Sequence, residues 1–177
     1  MNVAGRRALV TGASGGLGQA IARHLAGAGA KLVLSGRRAD VLESLARELG
    51  AEVAPADLSD ADSVRALAEA HGDVDILVAN AGLPASGRLR SFTAEQIDRA
   101  LDVNLRAPIM LAHALAPAMV ARGAGHIVLM SSLSGKAPAP GTSIYSATKF
   151  GLRGFAGALR AELHGTGVGV SAIFPGF

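Results

Sequence analysis

The sequence predicts an α/β fold with three layers (αβα), in which a doubly wound parallel sheet lies between two layers of helices. Two observations lead to this fold class. Short β-branched or apolar runs alternate with segments of helical periodicity, and glycine or polar residues follow the runs, which lie at 8–11, 32–34, around 53, 76–78, 127–130 and 168–174. Such alternation is typical of βαβ units, whose right-handed crossovers place the carboxyl ends of all strands at one edge of the sheet. We therefore expect the functional residues to lie on that edge.

The composition indicates a single domain over residues 1–177 and argues against several classes of function. No basic run exceeds two residues and only 3% of residues are aromatic, so we expect no nucleic-acid partner despite a formal charge of +3. The chain has no cysteine, hence no disulfide framework and no thiolate metal site, and we expect no metal. The longest uncharged apolar stretch, 107–121, contains two prolines and is too short to span a bilayer. We expect a cytoplasmic protein without a signal peptide or a membrane partner.

The first predicted strand runs into a glycine-rich turn, residues 11–18, which precedes a helix predicted over 19–28. Glycines let the backbone turn tightly and approach a diphosphate, while the helix amino terminus offers free N–H groups and a favourable dipole. A glycine trio alone could be no more than a tight strand-to-helix turn, but its place in a βαβ unit favours a dinucleotide site. The expected contacts in this turn are Gly12, Ser14, Gly16, Leu17 and Gly18.

The end of the second strand bears on the choice of cofactor. Folds that bind NAD usually present an acid there to the ribose hydroxyls, whereas this chain has Gly36-Arg37-Arg38 and no carboxylate. Two guanidinium groups can bind a 2′-phosphate, so we expect NADP rather than NAD. Alternatively, the two arginines could simply begin a solvated helix. After the third strand we expect Asp57 and Leu58 to contact the cofactor, with Asp57 accepting from the adenine amino group or else capping a helix.

Two helix starts can be read from the sequence, one at Ser59 and one at the predicted capping box of Thr93 and Gln96. The second opens a helical pattern over 93–122 that contains Asn104 and, four residues later, Pro108. A proline cannot donate to the carbonyl four residues before it, so the Asn104 carbonyl is expected to be free for a water. A plain proline kink is the alternative.

A helix predicted over 143–164 places Tyr145 and Lys149 on one face. A free phenol has a pKa of about 10 and is a poor base at neutral pH, but an adjacent ammonium favours the phenolate. The pair could therefore serve in general acid–base chemistry. An ordinary amphipathic helix with a solvated lysine remains the alternative.

These motifs, considered together, resemble the short-chain dehydrogenase/reductase family. The shared elements, in chain order, are Thr11-Gly-x-x-x-Gly-x-Gly18, Asn80-Ala-Gly82, Asn104, Ser132, Tyr145-x-x-x-Lys149 and Pro175-Gly176. The resemblance covers the whole chain, and the 13 residues between Ser132 and Tyr145 are the usual separation in this family. The glycine spacing resembles that of the family's simple oxidoreductases rather than its sugar epimerases.

The resemblance implies a Rossmann fold and an NADP-dependent oxidoreductase that interconverts a carbonyl compound and a secondary alcohol. It implies four catalytic residues, Asn104, Ser132, Tyr145 and Lys149, and further cofactor contacts at Asn80, Tyr145, Lys149 and Pro175. Tyr145 would exchange the proton, Ser132 would orient the oxygen, and Lys149 would bind the nicotinamide ribose. A homodimer or homotetramer is also expected. Adjacent Ser131 should point away from Ser132, because side chains alternate along a strand.

The chain departs from the family pattern after Pro175-Gly176. Family members usually continue through a substrate loop, a helix and a seventh strand, so the fold is expected to lack those parts and to leave the sixth strand as an open edge. A non-catalytic dinucleotide-binding module, or an inactive fragment, is therefore the alternative to an active enzyme. The identity of the substrate cannot be predicted.

Overall fold

The computed structural model describes residues 2–176 as one parallel sheet flanked by helices. The six strands lie in the order β3-β2-β1-β4-β5-β6, and all pairings are parallel. The strands are β1 (Arg7–Thr11), β2 (Lys31–Gly36), β3 (Glu52–Pro55), β4 (Ile76–Ala79), β5 (Gly125–Met130) and β6 (Val168–Ile173). The helices are α1 (Gly16–Gly27), α2 (Ala39–Leu49), α3 (Ala61–Ala70), α4 (Ala94–Leu101), α5 (Ala107–Ala121) and α6 (Ser143–Glu162). The predicted doubly wound sheet is confirmed.

Adjacent residues of the central strand point into two separate cores. Leu9 packs in a core with residues of α3, α5 and α6, whereas its neighbour Val10 packs in a core with residues of α1 and α2. Leu111 and Leu115 of α5 are fully buried in the first core. Because both faces of the sheet are apolar, its strands read as continuous hydrophobic runs rather than as alternating ones.

Two of the predicted helix starts differ in outcome. The capping box is confirmed, since the Thr93 hydroxyl accepts from Gln96 N–H and the Gln96 side chain accepts from Thr93 N–H. The prediction at Ser59 is wrong, because Asp60 caps α3 by accepting from two backbone N–H groups. Ser59 instead donates its hydroxyl to Asp57.

The long helical pattern over residues 93–122 is continuous but contains a π-helical turn, Asp102–Arg106, between α4 and α5. Ala107 N–H donates to the Asp102 carbonyl five residues back, so the helix admits one extra residue before Pro108 and is not the plain proline kink that was the alternative. The run from Ala94 to Ala121 is consequently long and apolar enough to cross a bilayer by length and composition, although half of its most apolar window is buried inside the structure. The predicted interruption by prolines is therefore wrong.

Candidate active site

The three predicted glycines of the first turn have different surroundings. Gly12 has a φ of +65°, and a Cβ there would come within 2.7 Å of Ala81 Cα. A Cβ on Gly18 would overlap the carbonyl oxygen of Gly12, whereas a Cβ on Gly16 would meet no atom within 4 Å. Gly12 and Gly18 are therefore required by the turn itself, while Gly16 borders open space.

The amino terminus of α1 suits an anion. The helix begins at Gly16, three residues before the predicted Gln19, and its N-cap Gly15 contributes no side-chain hydrogen bond. As in any helix, the first N–H groups of α1 have no intrahelical partner. Because the first turn carries no acidic residue, the positive end of the helix dipole is also not neutralised. With open space in front of Gly16, these residues fit a diphosphate.

Thr11 links the first turn to the end of β4. It is 1% exposed, and its hydroxyl oxygen accepts from the N–H groups of Asn80 and Ala81, each at 3.1 Å. The Asn80 amide in turn donates to the Thr11 carbonyl at 3.0 Å, so Asn80 links the ends of β1 and β4. Sequence reasoning gave Thr11 no role. Its role could have been predicted, because a hydroxyl at the end of a fully buried strand needs a hydrogen-bond partner.

The two arginines after β2 are not equivalent. The Arg38 guanidinium donates to the Ser14 carbonyl, which ties the end of β2 to the first turn. Arg37 is exposed, and its charge helps to lower the pKa of Asp57. Both arginines remain expected contacts of a 2′-phosphate, and Arg38 already uses one of its N–H groups in the bond to the turn.

Asp57 and Leu58, which follow β3, also differ. Asp57 Oδ1 accepts from Ser59 N–H at 3.0 Å and from the Ser59 hydroxyl at 2.8 Å, while Oδ2 lies 3.9 Å from Arg99 Nη2. The Ser59 N–H and hydroxyl, followed by the charges of Arg99 and Arg37, hold the pKa of the Asp57 carboxyl below its usual value. Asp57 does not cap α3. The Leu58 side chain is 6% exposed and packs in the core beside α3, so only its backbone could face a cofactor.

Lys149 is buried without a carboxylate partner among the residues that the structure describes. Its side chain is 3% exposed, and Nζ donates to the Met130 carbonyl at 2.8 Å. Burial lowers the pKa of Lys149 to about 8. Nζ also lies 5.5 Å from the centroid of the Tyr145 ring, so the predicted shared helix face is confirmed. A cation held at this depth beside a half-buried phenol is an arrangement expected of acid–base chemistry rather than of a solvated lysine.

The two serines after β5 make different hydrogen bonds. Ser131 is buried and donates to the Lys149 carbonyl at 2.9 Å, which ties the end of β5 to α6. Ser132 is half-buried, and its hydroxyl oxygen accepts from Ser134 N–H at 3.1 Å. The Ser132 hydroxyl hydrogen is thus available for another acceptor.

Asn104 lies at the centre of the π turn and is completely buried. Its Oδ1 accepts from Leu83 N–H at 2.6 Å and its Nδ2 donates to the Leu83 carbonyl at 2.9 Å, which fixes the segment after β4. A Cβ on Gly82 would lie 3.6 Å from Asn104 Oδ1 and 3.8 Å from Lys149 Nζ. Asn104 Oδ1 and Lys149 Nζ therefore lie on the same side of Gly82.

Pro175 and Leu17 line one groove of about 570 Å³ on the side of the sheet that α1 covers only in part. A backbone hydrogen bond joins this groove to the segment that follows Ser132, because Leu133 N–H donates to the Pro175 carbonyl at 3.1 Å. The structure thus places the predicted residues on the carboxyl edge of the sheet in two groups, one around the first turn and one around Lys149. No group of three or more side chains able to hold a metal ion occurs within residues 2–176.

Comparison with known proteins identifies the family. A profile described as "short chain dehydrogenase" matches residues 6–177. The chain is 43% identical to Nodulation protein G of Rhizobium sp. (strain N33), over 98% of this chain and 73% of that protein. It is 40% identical to Dehydrogenase/reductase SDR family member 7B of Mus musculus, over 96% of this chain but only 56% of that protein.

Solved structures similar to this chain belong to the same family as these relatives. A metagenomic short-chain oxidoreductase in complex with NADP has a TM-score of 0.92 and 40% identity, with 99% of this chain and 84% of that chain covered. A short-chain dehydrogenase from Sphingobium yanoikuyae in complex with NADPH has a TM-score of 0.91 and 36% identity, with 97% and 70% covered. The chain belongs to the short-chain dehydrogenase/reductase family of NAD(P)-dependent oxidoreductases that act on CH–OH groups.

Proposed function

We propose that this protein transfers a hydride between NADP(H) and a small carbonyl compound or secondary alcohol, with Tyr145 as the general acid or base. The observation that carries the proposal is the buried Lys149 ammonium, which has no carboxylate partner within residues 2–176 and lies beside the Tyr145 ring. A buried, unneutralised cation stabilises the negative charge that develops while Tyr145 and the substrate oxygen exchange a proton.

The chain's own residues supply binding, orientation and proton transfer. During reduction, Tyr145 gives its proton to the carbonyl oxygen, and during oxidation it takes the proton of the alcohol. The Ser132 hydroxyl donates a hydrogen bond to the same oxygen and orients it. When bound, the nicotinamide supplies or accepts the hydride.

A path for the proton is also supported. Asn104 Oδ1 and Lys149 Nζ lie on the same side of Gly82, and a water between them would bridge the two groups. Because two bonds to Leu83 fix Asn104, it would hold that water at a constant place beside Lys149, where the water could return a proton after each turnover.

Replacement of Tyr145 by Phe tests the proposal. We expect kcat to fall by about 10²- to 10⁴-fold, the usual contribution of a positioned acid or base. The Kd for NADPH should stay nearly the same, since the ring remains. Turnover is followed by the loss of NADPH absorbance across a panel of ketones, and affinity by calorimetry. Retained turnover in the variant would refute the assignment of Tyr145.

The second candidate is a dinucleotide-binding module without turnover, for which the open space at Gly16 and the amino terminus of α1 would be sufficient. Calorimetry separates the two candidates, because a module would bind NADPH tightly while no member of the carbonyl panel is reduced.

The preference for NADP rests chiefly on Arg37, which is exposed after β2 and, unlike Arg38, is not bonded to the first turn. Replacement by Ala should weaken NADPH binding by about tenfold, the value of one charge-assisted hydrogen bond, and leave NADH binding unchanged. Arg47 is an exposed arginine of α2, the helix after Arg37, and donates to the Glu43 carbonyl, so Arg47→Ala is the matched control. Equal affinities of the unmodified protein for NADPH and NADH would contradict the preference.

The same family likeness supports a homodimer or homotetramer. Met110 and Val120 of α5 and Phe150 of α6 are each more than a third exposed, and an assembly through these helices would cover them. Sedimentation of the purified protein measures the state directly, and a monomer at high concentration would contradict it.

A further inference from the structure

The carboxylates of the chain are unevenly distributed along the sequence. Residues 1–75 hold ten of the fourteen Asp and Glu residues, and the stretches 76–94 and 103–161 hold none. The loops that follow β4 and β5 lie in these two stretches, whereas α4, which packs against Tyr145, carries Glu95 and Asp98. Lys136 is the one charged residue between Ser132 and Tyr145 in the sequence.

Three loops meet around the reacting residues, and hydrogen bonds hold them together. Gly87 N–H, in the loop after β4, donates to the Gly141 carbonyl, in the loop before α6, at 2.7 Å. Leu133 N–H, after β5, donates to the Pro175 carbonyl, after β6, at 3.1 Å. The rim of the site is therefore built from 83–92, 132–142 and 174–176, and none of these segments contains a carboxylate.

Lys136 is the lysine of this rim, and its backbone position is fixed. Its N–H donates to the Leu133 carbonyl at 2.8 Å. The preceding Gly135 is so close to α6 that a Cβ would come within 2.7 Å of the Lys149 carbonyl oxygen. Lys136 therefore lies at a constant place, one helical turn of chain from Ser132.

The Lys136 ammonium is oriented but not neutralised. Nζ lies 4.5 Å from the centroid of the ring of Phe174, the residue before Pro175. At this distance a cation is attracted by the face of an aromatic ring. No carboxylate of residues 2–176 lies within ion-pair distance of it. By contrast, Arg7, Arg23 and Arg65 in the first half of the chain all have carboxylate partners. An exposed, oriented ammonium on the loop that begins at Ser132 is a ready partner for a negative group of a substrate.

We propose that the substrate carries a carboxylate or phosphate in addition to its carbonyl or hydroxyl group, and that Lys136 binds this anion. The proposal rests on the proposed function and names the substrate class of the same site. The anion takes no part in hydride or proton transfer; it orients the substrate so that the reacting oxygen meets Ser132 and Tyr145. The Lys136 site is distinct from the predicted 2′-phosphate site at Arg37, which follows β2 on the other side of β1.

The experiment compares matched pairs of substrates with the whole chain and NADPH. Oxo acids of increasing length are tested against their methyl esters, and dihydroxyacetone phosphate against dihydroxyacetone. We expect kcat/KM to favour the anionic member of at least one pair by about tenfold, the usual value of a charge-assisted hydrogen bond. Lys136→Met should remove the preference, Lys136→Arg should retain it, and added salt should reduce it. Lys31→Met is the control, because Lys31 is exposed at the opposite end of β2.

Calorimetry of the same acids and esters with the protein–NADP complex provides a readout that needs no turnover. Tighter binding of the acid, lost in Lys136→Met, would support the anion site even if no carbonyl is reduced, and in that case only the proposed function fails. Equal binding and equal kcat/KM for acid and ester, or a preference that survives in Lys136→Met, would overturn the inference. Comparison of the carboxylate and phosphate pairs decides which anion is bound.

Discussion

The first turn and the helix that carries Tyr145 lie on the same edge of the sheet but are built in opposite ways. The first turn is shaped by the absence of side chains: Gly12 and Gly18 allow backbone to touch backbone, and its ligand groups are N–H donors. In α6 the proposed function depends on the positions of side chains, and Lys149 is held in place by burial and by one carbonyl acceptor. The turn should therefore be sensitive to an added methyl group, and α6 to a lost functional group.

The sharpest test of this contrast is the pair Gly18→Ala and Gly16→Ala. The Gly18 methyl would overlap the Gly12 carbonyl, and overpacking against a backbone atom cannot be relieved by a rotamer change, so we expect a loss of at least about 3 kcal/mol in the free energy of unfolding. Gly16→Ala should leave the free energy of unfolding unchanged or slightly higher, because no protein atom lies near. Urea denaturation measures both.

Cofactor affinity completes that comparison. In Gly16→Ala we expect folded protein with weakened NADPH binding, since the new methyl enters the space where the diphosphate approaches the helix. Unchanged NADPH affinity in this variant, measured by calorimetry, would mean that the cofactor does not approach the turn at Gly16.

The second test concerns the energetic cost of the cation in α6. The pKa of Lys149 is about 8 in the folded chain against 10.5 as its ordinary value, so the unfolded chain binds its proton more tightly. The cost to the folded state, roughly 3 kcal/mol, is therefore fully present below pH 8 and disappears as pH rises toward 10.5. Lys149→Met should be more stable than the unmodified protein at pH 7, by about 2 kcal/mol after the lost bond to Met130 is subtracted.

Thermal or urea unfolding at pH 7 and near pH 10 measures this difference. The gain should be large at the lower pH and small at the higher one, while turnover is lost throughout. Lys31→Met removes an exposed lysine and should change stability little at either pH. A variant at Lys149 that is less stable at pH 7 would indicate that its hydrogen bonding outweighs its burial.

The smallest expected effect concerns Thr11, whose side chain helps to shape the first turn and is thus an exception to the contrast. Thr11→Val keeps the shape of the residue but leaves the N–H groups of Asn80 and Ala81 without their acceptor. We expect a loss of about 1 to 2 kcal/mol, measured by urea denaturation. No loss would mean that water replaces the hydroxyl and that the turn is shaped by its glycines alone.

The sequence predicted those features that depend on patterns of local spacing. All six strands, the parallel order of the sheet and the shared face of Tyr145 and Lys149 follow from periodicity, and the structure has them. The helix cap at Thr93 was also predictable, because the two partners of a capping box are only three residues apart.

Features that depend on contacts between distant segments could not be predicted in this way. The bond from Arg38 to Ser14 spans 24 residues, and the clasp of Asn104 on Leu83 spans 21. Nothing in the local sequence distinguishes Gly16 from Gly18, because only the packed turn shows which hydrogen atom faces a carbonyl and which faces open space. The prediction at Ser59 was wrong because Ser59 and Asp60 both suit the N-cap of α3. The Ser59 hydroxyl donates to the Asp57 carboxylate instead, and Asp60 takes the cap position.

The π turn at Asp102–Arg106 constrains how this chain could change in evolution. An ordinary helical turn would hold the same span with one residue fewer, so the loss of a single residue here would leave a regular, stable helix. The flanking helices would keep their faces, but Asn104, at the centre of the π turn, would be displaced and could no longer clasp Leu83. The length of this segment is thus fixed by the geometry of the candidate site rather than by the needs of folding.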